Sequence, residues 1–70
     1  MISISDLTLE DIGRWVLYTN SVGKTERGRL KSWNSRFVFV VYHCGEEWDR
    51  FMDFTGESTD PRDLTFEEVT

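Results

Sequence analysis

Seventy residues with a net charge of −5, one cysteine, one proline and five glycines leave room for a single domain. One cysteine excludes an intramolecular disulfide framework, few prolines and glycines exclude a low-complexity chain, and no apolar run approaches the roughly 20 residues of a membrane helix. Three Trp, two Tyr and five Phe supply the bulky side chains that so short a chain needs for a core, each removing roughly 150–250 Å² from water when buried.

The lone thiol suits a reducing compartment. The N-terminus lacks the basic start and apolar stretch of a secretion signal, so a cytoplasmic location is expected. Charge is unevenly spread. Residues 1–23 carry Asp6, Glu10 and Asp11 against Arg14, a net −2. Residues 24–36 carry Lys24, Arg27, Arg29, Lys31 and Arg36 against Glu26, a net +4. Residues 37–70 carry Glu46, Glu47, Asp49, Asp53, Glu57, Asp60, Asp63, Glu67 and Glu68 against Arg50 and Arg62, a net −7. Phosphate affinity scales with the cations offered, so this balance disfavours generic nucleic-acid binding. It suits a protein partner bearing a basic patch, or simply a solvated surface.

In chain order, Met1 to Ser5 alternates and reads as a short strand or a loose tail. Ser5 to Gly13 reads as one helical turn or loop, with Asp6 or Thr8 capping, Leu9 and Ile12 facing inward and Gly13 ending it. Arg14 to Tyr18, aromatic and β-branched, is the first strand. Thr19 to Lys24 is a turn-rich connection. Thr25 to Trp33 alternates, with Gly28, Leu30 and Ser32 on one face and Arg27, Arg29, Lys31 and Trp33 on the other. Gly28 in mid-strand marks bending or a close backbone approach.

Asn34 to Arg36 is a hairpin turn. Phe37 to Tyr42, apolar on both faces, reads as the central strand. His43 to Glu47 is a second turn, and Trp48 to Phe54 is a bulged strand. Thr55 to Asp60 is a polar loop. Thr59 to Leu64 holds one helical turn, with Thr59 or Asp60 capping and Pro61 at its first position. Leu64 to Phe66 is a last short strand, and Glu67 to Thr70 frays. The pattern is all-β: four or five short antiparallel strands with one helical turn before the last. A small barrel closed on itself would hide the strand edges. The whole chain, residues 1–70, forms this one domain, with its core over about 7–66.

Gly13 to Tyr18, Glu26 to Trp33, Phe37 to Tyr42 and the turn at Asp60 to Leu64 together resemble an SH3-like barrel of the Tudor or KOW kind. The Gly28-Arg29-Leu30 segment is similar to the Gly-x-Val/Ile element of those barrels. Arg27 to Asn34, Phe37 to Cys44 and Trp48 to Phe54 also resemble small proteins encoded by bacteriophages and prophages. The likeness covers about Leu7 to Phe66. Such barrels serve many roles, and no catalytic residue is implied.

Enzyme chemistry has little to work with. His43 and Cys44 are neighbours on one stretch and point to opposite faces, which denies them a nucleophile–base pair. Four-ligand zinc spacings are absent, as is a calcium loop around Glu46, Glu47 and Asp49. No catalytic residue, metal or cofactor is therefore expected. The candidate binding face is Arg27, Arg29, Lys31 and Trp33, extended by Arg36 at the turn. Cations beside an aromatic suit base stacking with phosphate contacts, an acidic protein surface, or internal pairing with Asp49 and Asp53. Trp15, Tyr42 and Trp48, with Trp33 and Phe51, form a candidate aromatic rim able to cage a cation, or else core.

The expected function is that of a non-enzymatic binding module. The resemblance implies a phage or prophage accessory protein, in the host cytoplasm, that binds and modulates a host or phage protein, including inhibition of a host defence or nucleic-acid machine. The alternatives are a KOW- or Tudor-like nucleic-acid-binding barrel and a phage structural or assembly protein. A protein partner with a basic surface is expected, no membrane, and either a monomer or a homodimer joined through a sheet edge.

Overall fold

The computed structural model describes residues 1–67. Five antiparallel strands form one sheet: β1 (Trp15–Thr19), β2 (Thr25–Trp33), β3 (Val38–Val41), β4 (Glu57–Thr59) and β5 (Leu64–Phe66), in the order β4-β3-β2-β1-β5. The central strand is thus β2, flanked by β1 and β3, and not the more apolar β3. The fraying expected at the C-terminus falls, from residue 68 onward, outside the described residues.

The N-terminal segment is neither strand nor tail. It holds two short 3-10 turns, Ile4–Asp6 and Leu9–Asp11. Ile2 is buried and its amide donates to the Pro61 carbonyl at 3.0 Å. The Asp11 carboxylate accepts from the Thr8 amide at 2.9 Å and from Arg14 at 3.0 Å. Leu9 does not face inward: it is 81% exposed. The chain leaves helical geometry at Ile12 (φ −63°, ψ 128°), so no apolar helical face runs on from Leu9. Ile12 packs on the core instead. Gly13, at φ +92°, then turns the chain into β1 in a region that side chains with a Cβ rarely adopt.

Polar side chains build the turns that set the register. Asn20 Oδ1 accepts from the amides of Val22 (3.0 Å) and Lys24 (2.9 Å) between β1 and β2. Asn34 Oδ1 accepts from Arg36 and Phe37, both at 2.8 Å, between β2 and β3. Both are side-chain mimics of a backbone turn.

Within β2 the register slips. Leu30 faces Val40, but Ser32 faces Phe39, so two steps on β2 match one on β3 and Lys31 is the extra residue. Because side chains alternate with period two, one inserted residue exchanges the faces beyond it. Gly28 and Leu30 point into the main core, and past the bulge so does Trp33, while Ser32 turns outward. Trp33 is therefore not on the Arg27–Arg29 face as simple alternation predicts.

Trp48 to Phe54 is not a strand. Trp48–Asp53 is a pair of 3-10 turns kinked at Arg50 (φ −114°, ψ 24°), lying against β2. The strand comes later, as β4, in the stretch expected to be a loop, with Val38 facing Thr59 and Val40 facing Glu57. The helical turn before β5 matches expectation: Pro61–Asp63, with the Asp60 carboxylate accepting the Arg62 amide at 2.9 Å.

β4 and β5 run in the same sense at opposite edges of the sheet, joined only by Asp60 and that turn. Such a link reaches on the order of 14 Å. In a flat sheet four interstrand spacings alone require roughly 19 Å. The sheet must therefore curl. Its inner face holds Ile2, Val16, Leu30, Val38, Val40, Tyr42 and Leu64, with Ile4, Leu7, Ile12, Tyr18, Trp33 and Phe66 at its margin. Its other face holds Val41, Cys44 and Phe51, covered by Trp48 and Phe54. Each fully buried aliphatic side chain contributes about 1.5–3 kcal/mol. Gly28 leaves no room for a side chain. A Cβ there would meet Val40 Cγ1 at 2.6 Å and the Val41 carbonyl at 2.7 Å.

Candidate functional site

Two cations of β2, Arg29 and Lys31, are struts. Arg29 donates from Nε to the Gly13 carbonyl and from Nη1 to the Trp48 carbonyl, both at 2.7 Å. Its guanidinium lies 4.4 Å from the Phe51 ring centroid and 5.3 Å from that of Trp15. Lys31, displaced by the bulge, donates from Nζ to the Phe54 carbonyl at 2.5 Å. Arg27 stacks on Trp15 at 3.9 Å and pairs with Glu67 at 2.8 Å. Asp49 and Asp53 are not the partners of this face. Their segment is not a neighbouring strand, and Asp53 pairs with Arg50 at 3.3 Å.

Arg36 does not join this group. It lies exposed in the Asn34–Phe37 turn, on the order of 20 Å along β2 from Arg27. Of the five residues expected to form a binding face, Arg27 and Arg29 share a surface, Lys31 sits at the bulge, Trp33 packs against the margin of the core and Arg36 is at the far turn.

The aromatic rim divides in the same way. Trp15 and Trp48 meet edge to face, with centroids 4.8 Å apart, and Arg27 and Arg29 of this chain lie over the Trp15 ring. Tyr42 lies on the opposite side of the sheet, edge to face with Tyr18 at 6.2 Å. His43 is exposed and approaches Glu26 at 3.0 Å, while Cys44 is buried. Among the described residues no group of three or more His, Cys, Asp or Glu side chains is placed to hold a metal ion.

A groove of about 650 Å³ opens beside Tyr18 and Tyr42. Glu26 from β2, Glu57 from β4, and Asp60 and Asp63 from the turn before β5 line it, together with Ser58 and Thr59. Two tyrosines and four carboxylates thus converge from β1, β2, the residue after β3, β4 and the turn before β5. The Tyr42 and Thr59 hydroxyls are hydrogen-bonded to each other at 2.9 Å, and Thr59 Oγ1 also lies 3.2 Å from the Glu57 carbonyl oxygen. Burial pushes the Tyr42 phenol above its usual range, the Thr59 hydrogen bond opposes this, and the carboxylates of Glu26 and Glu57 push it further up. Tyr42 thus senses the negative potential of the groove. Two of the carboxylates have basic neighbours: Glu26 has His43, and Asp60 has Arg62 at 2.8 Å. Arg62 holds the Asp60 carboxyl below the ordinary carboxylate range.

Only Tyr42 of this groove stands out in the sequence. Glu57 looks like loop until β4 is known, and Glu26 looks like the one interruption in a basic stretch. The i, i+3 pair Asp60 and Asp63 across a capped Pro turn was the available signal for a carboxylate ridge. Compared with family models, with curated proteins and with solved structures, the chain has no significant match to any of them.

Proposed function

We propose that this protein is a non-enzymatic binding module whose partner is a protein with a basic contact surface. One observation carries this reading: Arg29 and Lys31 of β2 are bonded to backbone carbonyls and the exposed Arg27 lies on the Trp15 ring and Glu67, whereas carboxylates line the concave surface beside Tyr18 and Tyr42. A surface whose basic residues are spent on its own structure offers little to phosphates. A carboxylate-lined groove attracts cations and repels nucleic acid.

The finer fold reading is an SH3-like barrel. The strand order, the curl imposed by the short link between β4 and β5, and near-equal extents of 28 × 27 × 26 Å support it. A phage or prophage accessory protein acting on a host or phage target is the setting that the resemblance of Arg27 to Asn34 and Phe37 to Cys44 implies.

The test is affinity capture from bacterial lysate, with and without nuclease, alongside titration with single- and double-stranded oligonucleotides at low salt. Nuclease-resistant capture of a basic protein that salt disrupts is the expected result. Salt-sensitive oligonucleotide binding abolished by Arg27→Glu would overturn the reading in favour of a nucleic-acid-binding barrel.

A further inference from the structure

The groove beside Tyr18 and Tyr42 has a shape and a charge that specify more than a basic partner. We infer that it is the docking site itself, and that its occupant is an arginine side chain carried on an extended segment of the partner protein. The inference rests on the binding-module reading above and locates it.

Four observations converge. The groove is large, about 650 Å³, so it admits a long side chain together with part of its backbone. Its apolar wall is aromatic: Tyr42 is buried and held by Thr59, while Tyr18 is only half-buried and sits against it at 6.2 Å. A planar cation gains from an aromatic face of this kind. Glu57 and Asp63 line the groove from β4 and from the turn before β5. Unlike Glu26 and Asp60, neither has a cationic side chain within 4.0 Å among the described residues. Two carboxylates beside a tyrosine wall fit a guanidinium, which is flat enough to stack and forked enough to bond carboxylates in pairs. An ammonium offers a point charge without the stacking plane. Finally, the cations of the sheet's opposite face are held by their own carbonyls, rings and Glu67, so a basic segment meets no mobile competitor from that face.

The experiment is an NMR titration of the isotopically labelled full chain. The probe is an acetylated nonapeptide of Gly and Ser carrying three arginines, with the lysine and glutamate versions as comparison arms. Saturable shifts are expected at Tyr18, Glu26, Tyr42, Glu57 and Asp63, weaker with lysine and absent with glutamate. The double variant Glu57→Gln/Asp63→Asn is expected to weaken arginine-peptide binding by about fivefold to tenfold. The double variant Glu46→Gln/Glu47→Gln makes the same change in net charge away from the groove, and is expected to leave binding within about twofold of the parent. Amide dispersion like that of the parent verifies that each variant is folded.

Equal weakening by both double variants, or shifts centred elsewhere, overturns the groove and leaves the basic-partner reading standing. Lysine peptide binding as tightly as arginine overturns the arginine assignment. Absence of binding by every basic peptide, with nothing basic captured from lysate, overturns both.

Discussion

Arg29 donates a 2.7 Å hydrogen bond from Nη1 to the carbonyl oxygen of Trp48. A residue that reads as one of three surface cations on an alternating strand therefore pins the 3-10 segment against the sheet. Its second bond, to the Gly13 carbonyl at 2.7 Å, ties the entry of β1 to the same guanidinium.

Arg29→Ala is expected to destabilise the fold by about 2–4 kcal/mol, because it removes charged hydrogen bonds and strands two part-buried carbonyls. Arg29→Lys recovers only a minor part, since an ammonium lacks the fork that spans both oxygens. Arg27→Ala, which loses an exposed ion pair and a ring contact, is expected to cost under about 1 kcal/mol. Urea unfolding of the three variants measures the contrast. Equal losses for Arg27→Ala and Arg29→Ala would sink the strut assignment.

The bulge at Lys31 gives Trp33 a packing role. Trp33→Ala is expected to cost about 2–4 kcal/mol, less than a fully buried tryptophan, and to leave arginine-peptide affinity unchanged while the variant remains folded. Thermal unfolding and the peptide titration check the two halves. A stable variant with lost binding would return Trp33 to the outer face.

Gly28 is required by space rather than by turn geometry. Gly28→Ala places a Cβ 2.7 Å from the Val41 carbonyl and 2.9 Å from Tyr42 Cδ1, and is expected to cost about 1–3 kcal/mol. Gly23 is required by conformation instead: it has φ +84° and open space around it. Gly23→Ala is expected to cost about 1–2 kcal/mol, from backbone strain alone. Replacement by Asn, which tolerates the left-handed region, should rescue position 23 and not position 28. Denaturation midpoints of the four variants report this.

Acid sensitivity follows from two capping carboxylates. The Thr8 amide and then Arg14 hold Asp11 below the ordinary value of 3.8, and the Arg62 side chain and amide do the same for Asp60. Folded-state values depressed in this way contribute stability that is present above the unfolded value. That stability is lost as pH falls below about 3.8 through the folded values. Stability against pH should therefore drop on the acid side. Asp11→Asn and Asp60→Asn should each flatten that drop while leaving the neutral-to-mildly-alkaline range parallel to the parent. Urea midpoints from acid to neutral pH test it, and an unchanged acid limb in both variants would rule it out.

Much of the sheet was legible locally. β1, most of β2 and β3, the Asn34 turn, the Asp60–Pro61 turn and β5 follow from β-branched and aromatic runs punctuated by Asn, Pro and Asp. These signals act over a few residues. Trp48 to Phe54 was misread because its aromatics mimic a strand. Their hydrophobicity instead serves to cover the second face of the sheet from a 3-10 segment. Glu57 to Thr59 is short and polar, and it becomes a strand only because β3 offers it an edge.

What this sequence determines by itself is an all-β domain with an acidic surface, a glycine under close approach at position 28, and turns placed by Asn20, Asn34 and Asp60. These depend on propensity, sterics and side-chain-to-backbone bonds within a few positions. Tertiary structure alone decided the faces. One inserted residue, Lys31, turned Trp33 toward the core. Carbonyls from Gly13, Trp48 and Phe54 claimed Arg29 and Lys31. Glu26, Glu57 and Asp63, remote from one another in the chain, came together beside Tyr18 and Tyr42. Register and long-range partners carry no local signature, because the energy that selects them is gained only when the strands meet.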